Sequence, residues 1–365
     1  AKHTAQSIIQ YLQRQDGLVL NNKMIKISKL NDLIRVTLNA TIAENFFNTS
    51  LHHYIANQVN NMKLDFIRCS SPYYLPEEIA NQVLLVDRLI RLPKIPMTHS
   101  SSLGNTHLLE DVSKKDSNDT DPFNTCDTKH CRNATTPAVL RQRYGYPLLS
   151  NFTEGNAMAC AAFKLYGVLD LDLNNYASTC QVDHVVVDKK VNLGGESGWG
   201  YIEALMDIEV IEAVAAPIPL SVINDPDFSL LAWAELVNTE ETPELSHSIT
   251  IETDEANETS EEYMDACNNQ FMIAGSRGLS LLVAAGDQGV WGYQTNPNTF
   301  NPEFPGSSPY VTSVGGTTFA EKLVIGEEVG WTGGGGGFSI TYPRPSYQDD
   351  AVASYFASNV TLPDI

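Results

Sequence analysis

The chain has 365 residues, with 44 acidic against 23 basic side chains and a formal net charge of −21 at pH 7. This length can bury a sizeable core and favours two domains. The charge argues against nucleic acid and anionic membranes as partners, because both would repel the chain. No apolar run reaches the roughly 18 residues of a membrane helix. The simpler interpretation of the acidic excess is solubility. The more specific one is an acidic compartment, where many of these carboxylates would be protonated and would repel one another less.

Sequons and cysteines indicate the secretory route. The seven Asn-x-Ser/Thr sequons stand at Asn39, Asn48, Asn118, Asn133, Asn151, Asn257 and Asn359. They predict a lysosomal or secreted glycoprotein. Six cysteines fit oxidising conditions, and their pairing stays open, although Cys126 and Cys131 are close enough to close a small loop. Without any Cys-x-x-Cys, a zinc site is disfavoured, and we expect no metal ligands in this chain.

Residues 1–97 form the first predicted domain, a small α+β unit in which helical and strand patterns alternate. Helices are predicted at Gln6–Gln13, Ile42–Phe47 and Glu77–Val83, with Pro76 opening the last, and strands at Met24–Ile27, Ile34–Leu38 and His53–Ile55. Residues 98–135 are predicted to be an exposed linker. Its stretch Thr98–Asn133 is rich in Ser, Asn, Asp, Thr and Lys, and we expect proteases to nick it.

Residues 136–365 change to alternating strands and helices, the pattern of a doubly wound parallel sheet. Helices are predicted from Thr136-Pro137 to Tyr144, at Tyr201–Val214 and at Glu261–Ala274, and strands at His184–Val187, Leu220–Ile223 and Ser308–Val314. The central stretch is Leu279–Gly292, where a short apolar run predicts a strand buried on both faces. It ends in Gly286-Asp287-Gln288-Gly289, so Asp287 should project from the carboxyl edge of the sheet, where such sheets bind ligands.

Two further acids, Glu203 and Asp207, lie four residues apart and share one face of a predicted helix. On spacing alone, such a pair is more often a solvated face than a catalytic site. The run Gly333–Gly337 lacks the lysine of a phosphate-binding loop, which favours a flexible loop beside a cleft. No Gly-x-Ser-x-Gly is present, and neither His184 nor His247 stands in the setting of a catalytic base. A Ser-His-Asp hydrolase is therefore disfavoured.

Four motifs, taken in order, resemble one peptidase family. They are Glu203-Ala-Leu-Met-Asp207, Ala284-Ala-Gly-Asp-Gln-Gly-Val290, the segment from Phe304 to Thr317 and the segment from Gly335 to Gln348. Together they resemble the sedolisins, the serine-carboxyl peptidases. Leu51-His-His-Tyr54 and Tyr73-Tyr-Leu-Pro76 are similar to the second part of that family's activation prodomain. The resemblance implies an α/β fold with a subtilisin-like parallel sheet flanked by helices, preceded by a ferredoxin-like α+β prodomain.

The resemblance also implies roles for individual residues. Glu203 matches the family's general base, Asp207 the carboxylate that orients it, and Asp287 the acid of the oxyanion hole. A carboxylate base suits acid conditions, and a protonated aspartic acid can donate a hydrogen bond to a developing oxyanion. The substrate groove would include Thr250, Ile251, Glu252 and Gly286. Peptides are the expected substrates, with exopeptidase action as a narrower expectation, and the prodomain would act as an intramolecular inhibitor.

The family's nucleophilic Gly-Thr-Ser-x-Ser and its calcium ligands are expected beyond Ile365, so no cofactor is expected within this chain. The resemblance therefore implies a catalytic domain that is incomplete at its C-terminus, with a second chain as one source of the remainder. Glu252 stands where the family has glycine, and would crowd the groove and place a charge in it. The alternative is a catalytically inactive extracellular glycoprotein that serves as a binding or assembly module. A nucleotide-binding α/β protein is a weaker third reading.

Overall fold

The structure is a computed structural model that describes residues 2–15, 24–57, 63–90, 121–126, 134–163, 170–182, 185–193, 202–251, 253–255, 260–292 and 300–357. The chain divides into two compact units, residues 1–244 and 245–365. The sequence-predicted boundaries at 97 and 135 both fall inside the first unit and stay a prediction. Most of the predicted linker, including residues 98–120, lies outside the described residues.

The N-terminal part of the first unit mixes helices with antiparallel strand pairs. Its elements are α1 (Lys2–Gln13), β1 (Ile25–Ile27), β2 (Ile34–Val36), α2 (Ala40–Phe47), β3 (Leu51–Asn57), β4 (Lys63–Cys69) and α3 (Glu77–Ala80). Strand β1 pairs with β2 and β3 with β4. Ile8, Leu12 and Ile79 are buried together in a small core, which explains the apolar period of α1. The sequence did not predict β4, and α3 ends at Ala80 rather than at Val83.

The rest of the first unit is a parallel sheet with helices. Its elements are α4 (Pro137–Tyr144), β5 (Met158–Phe163), α5 (Asp170–Cys180), β6 (Lys189–Val191), α6 (Ile202–Ala215), β7 (Leu220–Asp225) and α7 (Leu230–Thr239). Strand β7 runs parallel to both β5 and β6 and lies between them. Its buried Leu220 and Val222 pack with Ile208 of α6. Each crossover thus places a helix on the sheet, as parallel strands require.

The predicted strand at His184–Val187 is wrong. The pairing strand is β6, five residues further on, and residues 185–187 are irregular. Val185 and Val187 are nevertheless buried in the core of the first unit. Alternate apolar side chains here fill the core without joining a ladder, so period-2 burial was mistaken for strand pairing.

Residues 121–126 depart from the exposed linker that the sequence predicts. A single 3₁₀ turn, Pro122–Asn124, follows Asp121, and the Phe123 side chain is buried. Thr136 Oγ1 donates a hydrogen bond of 2.6 Å to the carbonyl oxygen of Pro122 and thereby ties the turn to the start of α4. Cys126 forms a disulfide with Cys180 at the end of α5, not with Cys131. The end of the linker is therefore fastened to the α/β part of the unit.

The second unit contains its own parallel strands. Its elements are β8 (Ser246–Ile249), β9 (Thr253–Asp254), α8 (Glu261–Ser276), β10 (Ser280–Ala284), β11 (Glu303–Phe304), β12 (Thr312–Val314), β13 (Thr317–Phe319), β14 (Glu328–Gly330) and α9 (Asp349–Ala357). Strand β10 lies between β8 and β12 and is parallel to both. Two antiparallel pairs, β9 with β11 and β13 with β14, complete the strands of the described part.

Strand β10 is buried on one face only, so the expectation of burial on both faces is wrong. Leu281 and Val283 are buried, whereas Leu282 between them is 39% exposed. The described residues leave the face of Leu282 largely open to solvent. A continuous apolar run alone could not distinguish this one-sided strand from a fully buried one.

The α/β fold class is confirmed, with parallel strands flanked by helices and an α+β part in front. The capped helix α4 is confirmed in detail, because the Thr136 side chain accepts a hydrogen bond from the backbone N–H of Val139 and Pro137 occupies the first turn. Among the described residues, no helix combines the length and apolar character needed to cross a membrane.

Candidate active site

Helix α6 carries the two acids that the sequence analysis singles out, Glu203 and Asp207, one turn apart. Asp207 is partly buried, and its Oδ2 lies 4.0 Å from Sγ of Cys160 on β5. Burial, followed by the nearby Asp207 carboxylate, raises the pKa of the completely buried Cys160 thiol well above its ordinary value. The thiol therefore stays protonated and acts as a weak donor toward Asp207. The Glu203 side chain lies outside the described part.

Asp287 occupies the predicted place at the end of β10. It lies just beyond Ala284, it is exposed, and its backbone N–H donates to Oε1 of Gln288 at 3.3 Å. Parallel strands end at the same sheet edge, which is where α/β proteins bind ligands. Asp287 is thus accessible to solvent at the carboxyl end of the parallel strands of the second unit.

The proposed groove residues emerge at this same edge. Ile249 of β8 is the register partner of Val283 in β10, so Thr250 and Ile251 leave the sheet where Gly286 does. Both are partly buried, whereas Gly286 is buried with a φ of +105°, a conformation that favours glycine. Glu252 lies outside the described residues, so its predicted intrusion into the groove stays a prediction.

The run Gly333–Gly337, here called the glycine strap, packs against the end of β10. The backbone N–H of Gly335 donates to the carbonyl oxygen of Gly286 at 2.7 Å, and Gly289 donates to the carbonyl of Gly333 at 2.8 Å. A Cβ on Gly335 would collide with the carbonyl oxygen of Ala285. The N–H of Gly334 is also used, by the carbonyl of Trp331. The strap is therefore a packed support, unlike the loose loop expected from its composition, and these amides are not free to cradle phosphate.

Two buried acids near this edge were not predicted from the sequence, Glu303 and Glu255. The Glu303 carboxyl lies 2.7 Å from the position that a Cβ on Gly286 would occupy, so it sits directly against the turn that leads to Asp287. Glu255 Oε1 accepts hydrogen bonds from Ser339 Oγ at 2.5 Å and from the N–H of Thr341 at 3.0 Å. The sequence offered one indication for Glu303, because it is a charged residue within an apolar segment that is flanked by prolines.

Three sequon asparagines lie in the described part, and all three are exposed, as glycan attachment requires: Asn39, Asn48 and Asn151. The other four, Asn118, Asn133, Asn257 and Asn359, lie outside it. Across the described ranges, no cluster of three or more His, Cys, Asp or Glu side chains is arranged to hold a metal ion.

Comparison with known proteins defines the class first. Residues 1–92 match the family described as Pro-kumamolisin, activation domain. Helices and paired strands of the N-terminal part therefore belong to an activation domain, and the α/β part follows it as in a peptidase precursor. This agrees with the α+β prodomain that the sequence predicts for residues 1–97.

These similarities support the sedolisin family of serine-carboxyl peptidases, which the motifs of the chain predict. It is 32% identical over 336 residues to Tripeptidyl-peptidase 1 of Macaca fascicularis and of Homo sapiens, and 31% identical over 328 residues to that of Rattus norvegicus. Each alignment covers 86% of this chain but 53% of the relative, so the chain spans about half the length of these relatives. A solved structure of Pseudomonas sedolisin (serine-carboxyl proteinase) matches with 18% identity and a TM-score of 0.47, covering 59% of this chain and 66% of that one.

Proposed function

We propose that the chain is the precursor form of an acid-acting serine-carboxyl peptidase that hydrolyses peptide bonds, with release of tripeptides as the narrower expectation. The observation that carries the proposal is the similarity to Tripeptidyl-peptidase 1 over 86% of the chain. The paired acids of α6 and the exposed Asp287 at a sheet edge supply the chemical groups that this reaction needs. Residues 1–92 would hold the peptidase inactive as an intramolecular inhibitor.

In the proposed reaction, a serine hydroxyl attacks the carbonyl carbon of the scissile peptide bond and gives its proton to the Glu203 carboxylate. Asp207 orients Glu203, and protonated Asp287 donates a hydrogen bond to the oxyanion that forms. The proton then passes from Glu203 to the leaving amine, and water hydrolyses the acyl-enzyme by the same steps. The proposal takes the nucleophilic serine from a segment outside residues 1–365, on the same polypeptide or on a second one. Calcium ligands are proposed in that segment too, and no step depends on them.

The burial of Asp207 supports its proposed role as the orienting acid. The Asp207 carboxylate is partly withdrawn from water and lies beside the Cys160 thiol, which stays neutral. In such surroundings a carboxylate interacts strongly with a proton that it shares with a neighbouring carboxyl group, here proposed to be that of Glu203. Two carboxyl groups that share one proton titrate as a unit, which is the behaviour that the proposal assigns to Glu203 and Asp207. The proposed base pair therefore suits acid conditions better than neutral ones.

A lysosomal or extracellular location belongs to the same proposal. The Cys126–Cys180 disulfide needs an oxidising route of folding, and three sequons are exposed where they are described. Removal of N-glycans should lower the mass of the protein isolated from its natural source, and an unchanged mass would contradict this location.

The decisive experiment replaces Glu203 by Gln in the protein as it occurs naturally, together with whatever polypeptide carries the serine. Peptide hydrolysis at about pH 4 should be lost while the fold is kept. Glu209→Gln, on the same helix but outside the proposed base pair, is the matched control and should keep turnover. Peptide mapping should also find a Gly-Thr-Ser-x-Ser segment. Turnover retained by Glu203→Gln would refute the base assignment, and a natural protein with neither that segment nor turnover would favour the inactive binding module.

A further inference from the structure

The carboxyl end of β7 holds an arginine side chain that comes from the activation domain. Nη2 of Arg88 lies 2.7 Å from Oδ2 of Asp225, and Nη1 lies 2.5 Å from Oδ2 of Asp227. One planar guanidinium thus contacts two carboxylates through two different nitrogen atoms, a fixed fork that differs from the single-point charge of an ammonium group. The Asp225 side chain is only 6% exposed, so its charge is withdrawn from water and needs a cation as partner.

The turn after β7 positions the Asp225 carboxylate independently of Arg88. Oδ1 of Asp225 accepts hydrogen bonds from the backbone N–H groups of Asp227 at 3.0 Å and of Ser229 at 2.8 Å. Burial raises the pKa of Asp225, and the Arg88 guanidinium is the largest influence that opposes the rise. Since Oδ1 is held by the turn, Oδ2 is presented to the guanidinium in a preorganised geometry.

The backbone of Arg88 has a conformation that arginine rarely adopts. Its φ is +65°, in the left-handed region where glycine is preferred. The next residue, Leu89, is anchored to β4 because its carbonyl oxygen accepts a hydrogen bond from the N–H of Cys69 at 2.7 Å. The preceding Asp87 accepts a hydrogen bond from the Ser229 hydroxyl. Side-chain contacts at the end of β7 therefore hold a backbone that local preference would not select.

Aromatic rings border the acidic pair. The Phe228 ring, between Asp227 and Ser229 in the chain, lies 5.8 Å from Phe66 of the activation domain and 6.5 Å from Phe163 at the end of β5. Arg68, a second cation at this place, donates a hydrogen bond from Nη2 to the backbone oxygen of Asp227 at 3.4 Å. An apolar border strengthens the interaction of a guanidinium with the two acids.

We propose that Asp225 and Asp227 form a guanidinium-binding site, that Arg88 occupies it in the precursor as an internal ligand, and that an arginine side chain of a peptide is the external ligand. The location, at the carboxyl end of a parallel strand, is where α/β proteins bind ligands. The choice of a peptide rests on the proposed function, whereas the site itself requires no peptidase activity. Arg88 thus fastens the activation domain by filling a site that a substrate can use once that domain has left.

The test measures binding to the full chain and needs no turnover. Arg88→Ala vacates the site, and the probe is N-acetyl-arginine amide, titrated by calorimetry at neutral pH. N-acetyl-citrulline amide is the matched probe, because it has nearly the same shape without the charge, and N-acetyl-lysine amide tests the need for a planar fork. We expect the Arg88→Ala chain to bind the arginine probe at least about tenfold more tightly than wild type, whose own arginine competes at high effective concentration.

The lysine probe should bind about tenfold more weakly than the arginine probe, and the citrulline probe should not bind measurably. Adding Asp225→Asn to Arg88→Ala should abolish the binding. If Arg88→Ala does not fold, Arg88→Gln keeps most of the aliphatic stem and is titrated with the same expectations. No binding to a folded vacated chain, equal binding to wild type, or binding that survives Asp225→Asn would overturn the proposal. Because hydrolysis is not measured, a failed proposed function would leave this result unaffected.

Discussion

Glu212, on α6 beyond the proposed base pair, should make the first unit more stable in acid than at neutral pH. Its side chain is 3% exposed, and Oε1 has no hydrogen-bond partner among the described residues. Burial raises the pKa of Glu212 to about 7; the backbone N–H of Val186 opposes this by hydrogen bonding, and the Asp188 carboxylate adds to it. Glu212→Gln, which keeps the shape and removes the titration, is the perturbation.

The sign follows from proton binding. In the unfolded chain Glu212 titrates near its ordinary value of 4.5, so between there and about pH 7 the folded state binds more protons. The free energy of unfolding is therefore highest below the unfolded value and falls as pH rises through this window. A shift of this size corresponds to a loss of up to about 3 kcal/mol. Above about pH 7, Glu212 adds no further pH dependence.

The assay is urea unfolding of wild type and Glu212→Gln at pH 4.5, 5.5, 6.5 and 7.5, values chosen to bracket the window at roughly one-unit steps. Fluorescence of the fully buried Trp233 reports the first unit. Wild type should lose stability across the series, and Glu212→Gln should lose less. A residual slope is expected from Glu209, whose pKa is raised to about 7 by burial and then by Asp172. Glu241→Gln, at an exposed carboxylate, should follow wild type. Parallel losses in wild type and Glu212→Gln would refute the reasoning.

Three further predictions concern covalent and backbone features. Replacing Cys126 and Cys180 together by Ser opens a loop with a sequence separation of 54 and should lower the free energy of unfolding by about 4 kcal/mol, measured by urea unfolding. Wild type unfolded in the presence of a reductant is the control and should show the same loss of stability as the double variant. Gly335→Ala should destabilise the second unit by about 1–3 kcal/mol by overpacking, whereas Gly315→Ala, where a Cβ meets nothing within 4 Å, should be nearly neutral in the same thermal melts. Brief digestion should nick within 98–133 first while sparing residues 121–126, and a first cut elsewhere, located by mass spectrometry, would contradict the predicted boundary.

Local patterns predicted much of the fold. The helical spacing of apolar residues predicted α1 and α6, and Thr136-Pro137 predicted the start and the N-terminal cap of α4. The acids Glu203 and Asp207 could be found because they share a helix and because the motif around them is specific. The place of Asp287 followed from one buried run and the glycines after it. Each of these signals lies within a short stretch of sequence.

The features that sequence analysis missed join distant stretches. Arg88 and Asp225 are 137 residues apart, and no local pattern connects an arginine before a linker with an aspartate at a strand end. Cys126 pairs with Cys180 at the end of α5, at a sequence separation of 54, rather than with its near neighbour Cys131. Glu303 is recognised only when Gly286 is found packed against its carboxyl group. Burial, register and long-range pairing are set by the whole fold, which is why these positions could not be read from spacing.

The Cys126–Cys180 bond makes the two sides of residue 126 unequal as places to cut the precursor. Hydrolysis before Cys126 separates the activation domain into a fragment held only by noncovalent contacts, such as Arg88 with the acids after β7. Hydrolysis between Cys126 and Thr136 leaves the same fragment covalently joined to α5, so the two pieces migrate together until a reductant is added. The position of a single cleavage therefore decides whether the activation domain can diffuse away or stays covalently attached to the rest of the protein.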